Sequence, residues 1–186
     1  MYKELGEQEL ARYCSRGDRS AEDELYRRYA ARVFTLCRRY LADSDEAKDM
    51  MQDVLIRALD KIQSFTFKGP GSLYGWISRI AINTAINHLK RQKWKTVPLD
   101  FSFQDNIPEP SPDEVEAIPH EKLLEWLSGL SDERRTVFNL YCIDGYSHKD
   151  IAQMLGISEK GSAGVLAKAR KQLKENIRQY LKEKER

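Results

Sequence analysis

The sequence predicts an all-α protein: two small helical domains joined by a Pro-rich acidic linker, the second domain containing a helix-turn-helix. Three observations carry that prediction. Apolar residues recur at helical intervals on both sides of the chain's midpoint, and almost nothing alternates as a half-buried strand would. Five of the six prolines (Pro98, Pro108, Pro110, Pro112 and Pro119) fall in one stretch, where each lacks an amide donor and pushes its predecessor out of helical geometry. That same stretch, Thr96 to Glu121, holds seven acids and no Lys or Arg, so the rest of the chain carries +9 against a net charge of +2 for the whole.

These signals place a first domain at 1–95, a flexible acidic linker at 96–119 and a second domain at 120–186. Each domain is near the size at which a single core is marginal, so its helices must bury nearly all their apolar faces. With 41% hydrophobic and 32% charged residues over 186 positions, a wholly disordered chain is excluded. No stretch has the roughly 18 apolar residues of a membrane span, and Met1 is followed by Tyr2, Lys3 and Glu4 rather than by a secretory run; no membrane insertion and a cytoplasmic location are expected. Cys14, Cys37 and Cys142 lie far apart and form no metal-ligand spacing with His88, His120 or His148, so the cysteines are expected as small buried residues, with no disulfide, metal or cofactor. No carboxylate or histidine constellation supports an enzyme, and catalytic residues are expected to be none.

In the first domain, Ser20 is positioned to cap a helix to Tyr40 whose stripe is Leu25, Tyr29, Val33, Leu36 and Tyr40. Asp43 with Glu46 makes a capping box for the next helix, to about Ile62, with Ala47, Met50, Met51, Val54, Leu55, Ala58, Leu59 and Ile62 on one face. Opposite them stand Asp49, Gln52, Asp53, Ile56, Arg57 and Asp60, and an isoleucine among acids on an outward face hints at a protein partner. A loop, Ser64-Phe65-Thr66-Phe67-Lys68-Gly69-Pro70-Gly71, precedes a helix capped by Ser72 and running to about Lys93. Its core face is Leu73, Ile77, Ile80, Ala81, Ala85 and Leu89; Tyr74, Arg79, Asn83, Asn87, Lys90 and Arg91 lie elsewhere along it. Aromatics in a basic, acid-free block suit stacking on unpaired bases while cations neutralise the backbone, although Trp76 reads equally as core.

In the second domain, Ser131 begins a helix through Val137, Leu140 and Tyr141 that ends near Gly145. Ser147 with Asp150 caps a short helix through Ile151, Ala152 and Met154, Gly156 supplies a left-handed turn, and Ser158 caps a further helix. Small Ala152 lets the two helices cross closely, as a helix-turn-helix requires. Nine basic residues against three acids from Lys160 to Arg186 suit a polyanion.

Leu25-Tyr26-x-Arg28-Tyr29, Asp49-x-x-Gln52-Asp53-Val54-x-Ile56-Arg57-Ala58 and Trp76-Ile77-x-Arg79-Ile80-Ala81-x-Asn83 resemble the first conserved domain of bacterial sigma factors. Asp144-Gly145-Tyr146-Ser147-x-x-Asp150-Ile151-Ala152 with Leu155-Gly156-Ile157-Ser158 resembles their last domain. The short length points to the extracytoplasmic-function group of the sigma-70 family. The resemblance implies a factor that binds core RNA polymerase and melts promoter DNA. Asp49, Gln52, Asp53, Ile56 and Arg57 would dock on the β′ clamp coiled coil. Ser64, Phe65, Phe67, Lys68, Arg79, Asn83, Asn87, Lys90 and Arg91 would melt the −10 element and hold an extruded base. Ser147, Ser158, Lys160, Ser162, Lys168, Arg170, Lys171 and Lys174 would meet the −35 element, the second domain resting on the β subunit flap. The acidic linker would thread the polymerase near its active site, and an anti-sigma factor would be a further partner.

One departure from the family pattern stands out. Ala163, Gly164 and Val165 occupy the start of the recognition helix, where relatives usually carry Lys, Arg, Ser or Gln; none of the three donates to a base edge, although Val165 suits a thymine methyl. Gly161 and Gly164 each cost about 1 kcal/mol in a helix relative to alanine. A different class, a homodimeric helix-turn-helix repressor or activator on duplex DNA, is separated from this reading by the outward face of Asp53 and Ile56, for which it has no use.

Overall fold

The computed structural model describes residues 2–91 and 107–184; the expected end of the first domain at 92–95 and the linker as far as residue 106 lie outside them. The described residues are helical and turn, without a strand. Backbone contacts divide the chain into two units, one reaching His88 and the other beginning at Leu89.

The first unit is built on a hairpin of long helices. After α1 (Glu7–Cys14), α2 spans Arg19–Tyr40 and α3 spans Ser44–Asp60. The cap of α2 is Asp18 and not Ser20: its carboxylate accepts from the Ala21 amide at 3.1 Å, and Ser20 lies inside the first turn, where its hydroxyl is too late in the chain to serve the frayed donors. Asp43 caps α3, accepting from the Asp45 and Glu46 amides at 2.8 and 2.9 Å. Helix α3 ends at Asp60; Ile62 is buried, but from a 3₁₀ turn over Ile62–Ser64, and Leu59 is only half-buried. Leu25, Val33, Tyr40, Ala47, Val54 and Ala58 are sealed between the two helices, as one-sided apolar stripes require. Cys14 and Cys37 fill this core, and burial pushes their thiols up to about 11 and about 12, which leaves them inert as nucleophiles. Cys142, expected to be buried like them, is exposed.

Helix α4 (Ser72–Arg91) comes next, and as far as His88 it belongs to this unit. Ser72 does not cap it: its hydroxyl accepts from the Lys68 amide, inside the preceding loop. The helix start is satisfied from a distance, by Glu7 of α1, whose carboxylate accepts from the Leu73 amide at 3.1 Å and from the Tyr29 hydroxyl at 3.1 Å. One carboxylate thereby ties α1, α2 and the positive end of α4 together. Leu73, Ile77, Ala81, Ala85 and Leu89 are buried as expected; Ile80 is half-exposed, while Ile82 and Ile86 are buried. The helix thus presents a wider apolar face than the spacing suggested, because it packs against more than one neighbour.

The N-terminal segment is held by charge. Glu24 is 6% exposed and pairs with Arg27 at 2.7 Å and Arg28 at 2.5 Å. Arg28 in turn donates to the carbonyls of Leu5 and Tyr2. Hydrogen bonds from Arg27 and Arg28 lower the Glu24 carboxyl to about 2.

In the second unit, α5 (Pro112–Glu116), α6 (His120–Ser128), α7 (Asp132–Phe138), α8 (His148–Leu155) and α9 (Glu159–Lys184) follow in order. The described part of the segment expected as a flexible linker, from Ile107 onward, has structure. Ser111 and Glu114 form a capping box for α5, Pro112 sits at its first position where no amide is needed, and Ile118 is buried. The prolines that argue against helix continuation here start one. Buried Arg135 of α7 donates to the Ser128 and Leu130 carbonyls and pairs with Asp132, closing the α6–α7 turn. Beyond Phe138 the chain continues as one π turn over Asn139–Ile143. Helix α8 has the capping box of Ser147 and Asp150, and Gly156 ends it at φ 73°. Ser158 Oγ accepts from the Gly161 amide at 2.9 Å, starting α9.

The sign of the pH dependence follows from Glu24. Its folded pKa is depressed, so its stabilising contribution is complete above the ordinary carboxyl range near 4.5 and is lost as pH falls toward about 2. Melting followed from pH 6 down to pH 3 should therefore drop more steeply for the wild type than for Glu24→Gln, which is already less stable at pH 6; parallel curves would show that the ion pair contributes nothing.

Candidate functional site

Three exposed surfaces lie where the sequence placed functional residues. The first is the outward face of α3. Asp49, Gln52, Ile56 and Arg57 are exposed and Asp53 is half-exposed, while the opposite face of the same helix is sealed. Arg57 Nε donates to Asp53 Oδ2 at 2.8 Å across one turn, a solvent-exposed pair of small energetic worth. Beside it Ile56 is 59% exposed, an apolar side chain on a face otherwise polar.

The second surface is the loop before α4 together with that helix's outer stripe. Arg79, Asn83, Asn87, Lys90 and Arg91 are all exposed, and their spacing by three and four residues aligns them along one side. In the loop, Phe67 is 36% exposed and Lys68 is exposed too, whereas Phe65 is half-buried with its ring 5.6 Å from Trp76. Trp76 is therefore neither a core residue nor a free platform: Phe65 covers part of it. Tyr74 is covered as well, with the Arg32 guanidinium 3.5 Å from its ring centroid and Tyr29 stacked at 6.2 Å. Ser64 is exposed and donates to the Lys61 carbonyl, closing the 3₁₀ turn. Of the loop aromatics, Phe67 thus presents the most accessible ring.

The third surface is the helix-turn-helix. Lys160 and Ala163 are exposed at the start of α9 and Gly164 is half-exposed. Val165 is half-buried in a shallow cleft it shares with Ser131, Glu133, Arg134 and Lys168, and so faces α7. Ser147 and Ser158 spend their hydroxyls on capping. Arg170 is exposed, and Lys168 and Lys171 are half-exposed along the same helix.

Two of the candidates for meeting the −35 element are misplaced by sequence reasoning. Ser162 is 0% exposed, with Oγ 2.9 Å from His148 Nδ1, so its side chain faces α8 and cannot reach a base edge. Lys174 is 7% exposed and pairs with Glu109 at 2.7 Å, so this cation holds the acidic segment instead of a phosphate. Basic composition along a 26-residue helix does not reveal which of its cations and hydroxyls lie on the side that packs against neighbours. Conversely, sequence reasoning passes over Arg134 of α7. It donates to Gln172 of α9 at 2.8 Å and shares a cleft with Lys168 and Lys171, adding a cation beside the basic stripe. Its neighbours Asp132 and Glu133 conceal it in any count of local charge. Among the described residues, no group of three or more His, Cys, Asp or Glu side chains is placed to hold a metal ion, and no helix is long and apolar enough to cross a membrane.

Comparison with known proteins places the chain in a family. Residues 25–95 match the Sigma-70 region 2 model and residues 120–173 the Sigma-70 region 4 model. The chain is 30% identical over 164 residues to the RNA polymerase sigma-H factor of Pseudomonas aeruginosa, covering 80% of this chain and 82% of that protein. It is 30% identical over 158 residues to the ECF RNA polymerase sigma factor SigM of Mycobacterium tuberculosis, covering 84% and 77%. It is 27% identical over 166 residues to the ECF RNA polymerase sigma-E factor of Haemophilus influenzae, covering 83% and 86%. Among solved structures, the sigma factor RpoE in complex with the anti-sigma factor NepR from Bartonella quintana shares the fold, with a TM-score of 0.52 and 19% identity over 84% of this chain and 96% of that one. The chain belongs to the sigma-70 family, in its extracytoplasmic-function group, and is a non-enzymatic factor that works with core RNA polymerase and promoter DNA to direct transcription initiation.

Proposed function

We propose that the three surfaces divide the work of initiation. The α3 face of Asp49, Gln52, Asp53, Ile56 and Arg57 docks on the β′ clamp coiled coil of core polymerase. Phe65, Phe67 and Lys68 in the loop, beside Ser64, and the α4 stripe of Arg79, Asn83, Asn87, Lys90 and Arg91 open the −10 element and hold its unpaired strand. Lys160, Lys168, Arg170 and Lys171 seat α9 on the −35 duplex, with the unit against the β flap. Domain boundaries at 95 and 120 suit this division, with the acidic segment between them following the polymerase channel as a mimic of nucleic acid. A cytoplasmic location fits such a role, and the NepR complex of the Bartonella relative suggests an anti-sigma factor as a further partner.

The observation that carries the reading is the exposed Ile56 beside the Asp53–Arg57 pair on a helix whose other side is sealed. Core association supplies a purpose for that face; a duplex-bound homodimer supplies none. Reversing its charge with Asp53→Arg should weaken binding to core polymerase by about 1–3 kcal/mol. The melting temperature should hardly move, since an exposed pair on one helix contributes only about 0.3–0.5 kcal/mol. Loss of folding, or unchanged core affinity, would remove the face from the mechanism.

Opening and reading separate in a second test. Phe67→Ala and Asn83→Ala should both slow open-complex formation on duplex promoters. A template with a pre-melted −10 bubble should rescue the variant needed for opening and not the one that reads the captured base; normal opening by both would exclude this surface.

The two kinds of lysine on α9 also separate. Removing one cation from a DNA phosphate should lower the slope of log affinity against log salt by about 0.9, so Lys168→Ala should flatten it. Lys174→Gln should leave the slope intact and lower the melting temperature, because it removes a covered lysine that pairs with the exposed Glu109 and donates to the Ile107 carbonyl.

A further inference from the structure

The interface between the two helices of the helix-turn-helix contains one polar contact whose parts are each immobilised. His148 is the first residue of α8, and the capping box around it fixes its backbone: Ser147 Oγ accepts from the Asp150 amide at 3.2 Å, and Asp150 accepts from the Ser147 amide at 3.1 Å. The π turn over Asn139–Ile143 brings Tyr141 onto the imidazole, with ring centroids 4.4 Å apart and planes within 21°. The ring held in this way points Nδ1 at Ser162 Oγ, 2.9 Å away and fully buried on the inner side of α9. Three elements therefore meet at one hydrogen bond: the π turn sets the ring plane, α8 sets its position, and α9 receives it one turn into the helix.

Its consequence lies on the opposite face of the same turn. Within two residues of Ser162, Lys160 and Ala163 are exposed and Gly164 is half-exposed. Two of these three have no polar side-chain atom with which to read a base, so discrimination at the −35 duplex depends on how closely and at what angle the α9 backbone enters the groove. A helix with small outward residues is sensitive to its rotation, because its backbone lies close to the groove and even a small turn about its axis shifts the outward atoms by tenths of an ångström relative to the bases. We propose that His148, through Ser162, is a positioning residue that sets the rotation of α9 and thereby the sequence preference at the −35 element, without touching DNA bases itself. This rests on the assignment of α9 to the −35 duplex made above.

The test uses holoenzyme assembled from core polymerase and the full chain, incubated with a duplex library randomised at both the −35 and the −10 segments. Retained DNA is sequenced, and the enrichment of the best sequence over the median is read separately for each segment. His148→Ala and Ser162→Ala should each lower −35 enrichment about fivefold, the scale of one net hydrogen bond, while leaving −10 enrichment and core affinity unchanged. The double variant should be no worse than either single one, and His148→Asn, whose amide reaches the Nδ1 position, should restore about half of the loss. Ser162→Ala keeps the packing and favours helix, so it answers the question even if His148→Ala fails to fold. Unchanged −35 enrichment in Ser162→Ala, an equal fall in both segments, or additive losses in the double variant would overturn the proposal. Wild-type enrichment at −10 alone would instead overturn the assignment of α9 to the −35 duplex, and the proposal with it.

Discussion

One-sided burial on short helices is the constraint from which the rest of this molecule follows. Units of this size have too little interior to bury a helix all round, so each element seals one stripe and leaves the other to solvent. In α3 the sealed stripe is Ala47, Met50, Val54 and Ala58, and what remains outward is the band from Asp49 to Arg57. In α4 the same division leaves Arg79, Asn83 and Asn87 along a single side. The surfaces proposed for polymerase and promoter are thus the complement of the core, and a substitution in one face leaves the other largely undisturbed.

Polar groups inside these units act where apolar packing alone leaves helix ends and turns unsatisfied. Glu7 is the clearest case: a carboxylate on α1 receives the first free amide of α4 and the Tyr29 hydroxyl, joining elements 66 residues apart in sequence. Arg135 does the equivalent for the α6–α7 turn by donating to carbonyls that the turn exposes. Such groups are costly to bury unpaired, so their presence specifies one arrangement of the surrounding elements.

The second unit shows how the helix proposed to meet DNA is also a structural one. Over its length α9 packs His148 of α8, the aromatic ring of Trp126 from α6 and Glu109 of the acidic segment. Its first two turns keep Lys160 and Ala163 outward, while Lys174 is drawn under cover. Fewer cations of the helix are therefore accessible than its composition implies, and Arg134 of α7 lies beside those that remain.

The all-α class, the two-part organisation of motifs, the outward band of α3 and the helix-turn-helix were legible in the sequence, because each depends on periodicity and capping within a few residues. Asp43, Ser147, Asp150, Gly156 and Ser158 act where they stand, whatever lies around them. What tertiary structure decided was the side of a helix that meets a neighbour and the distant partner that replaces a local one. Ser72 gave up its expected capping role to Glu7, Ser162 and Lys174 turned inward, and Pro112 opened a helix in a segment whose composition reads as linker. The physical reason is range: hydrogen bonds and hydrophobic periodicity within a turn or two are written in adjacent residues, whereas burial of a polar side chain depends on packing between residues far apart in the chain.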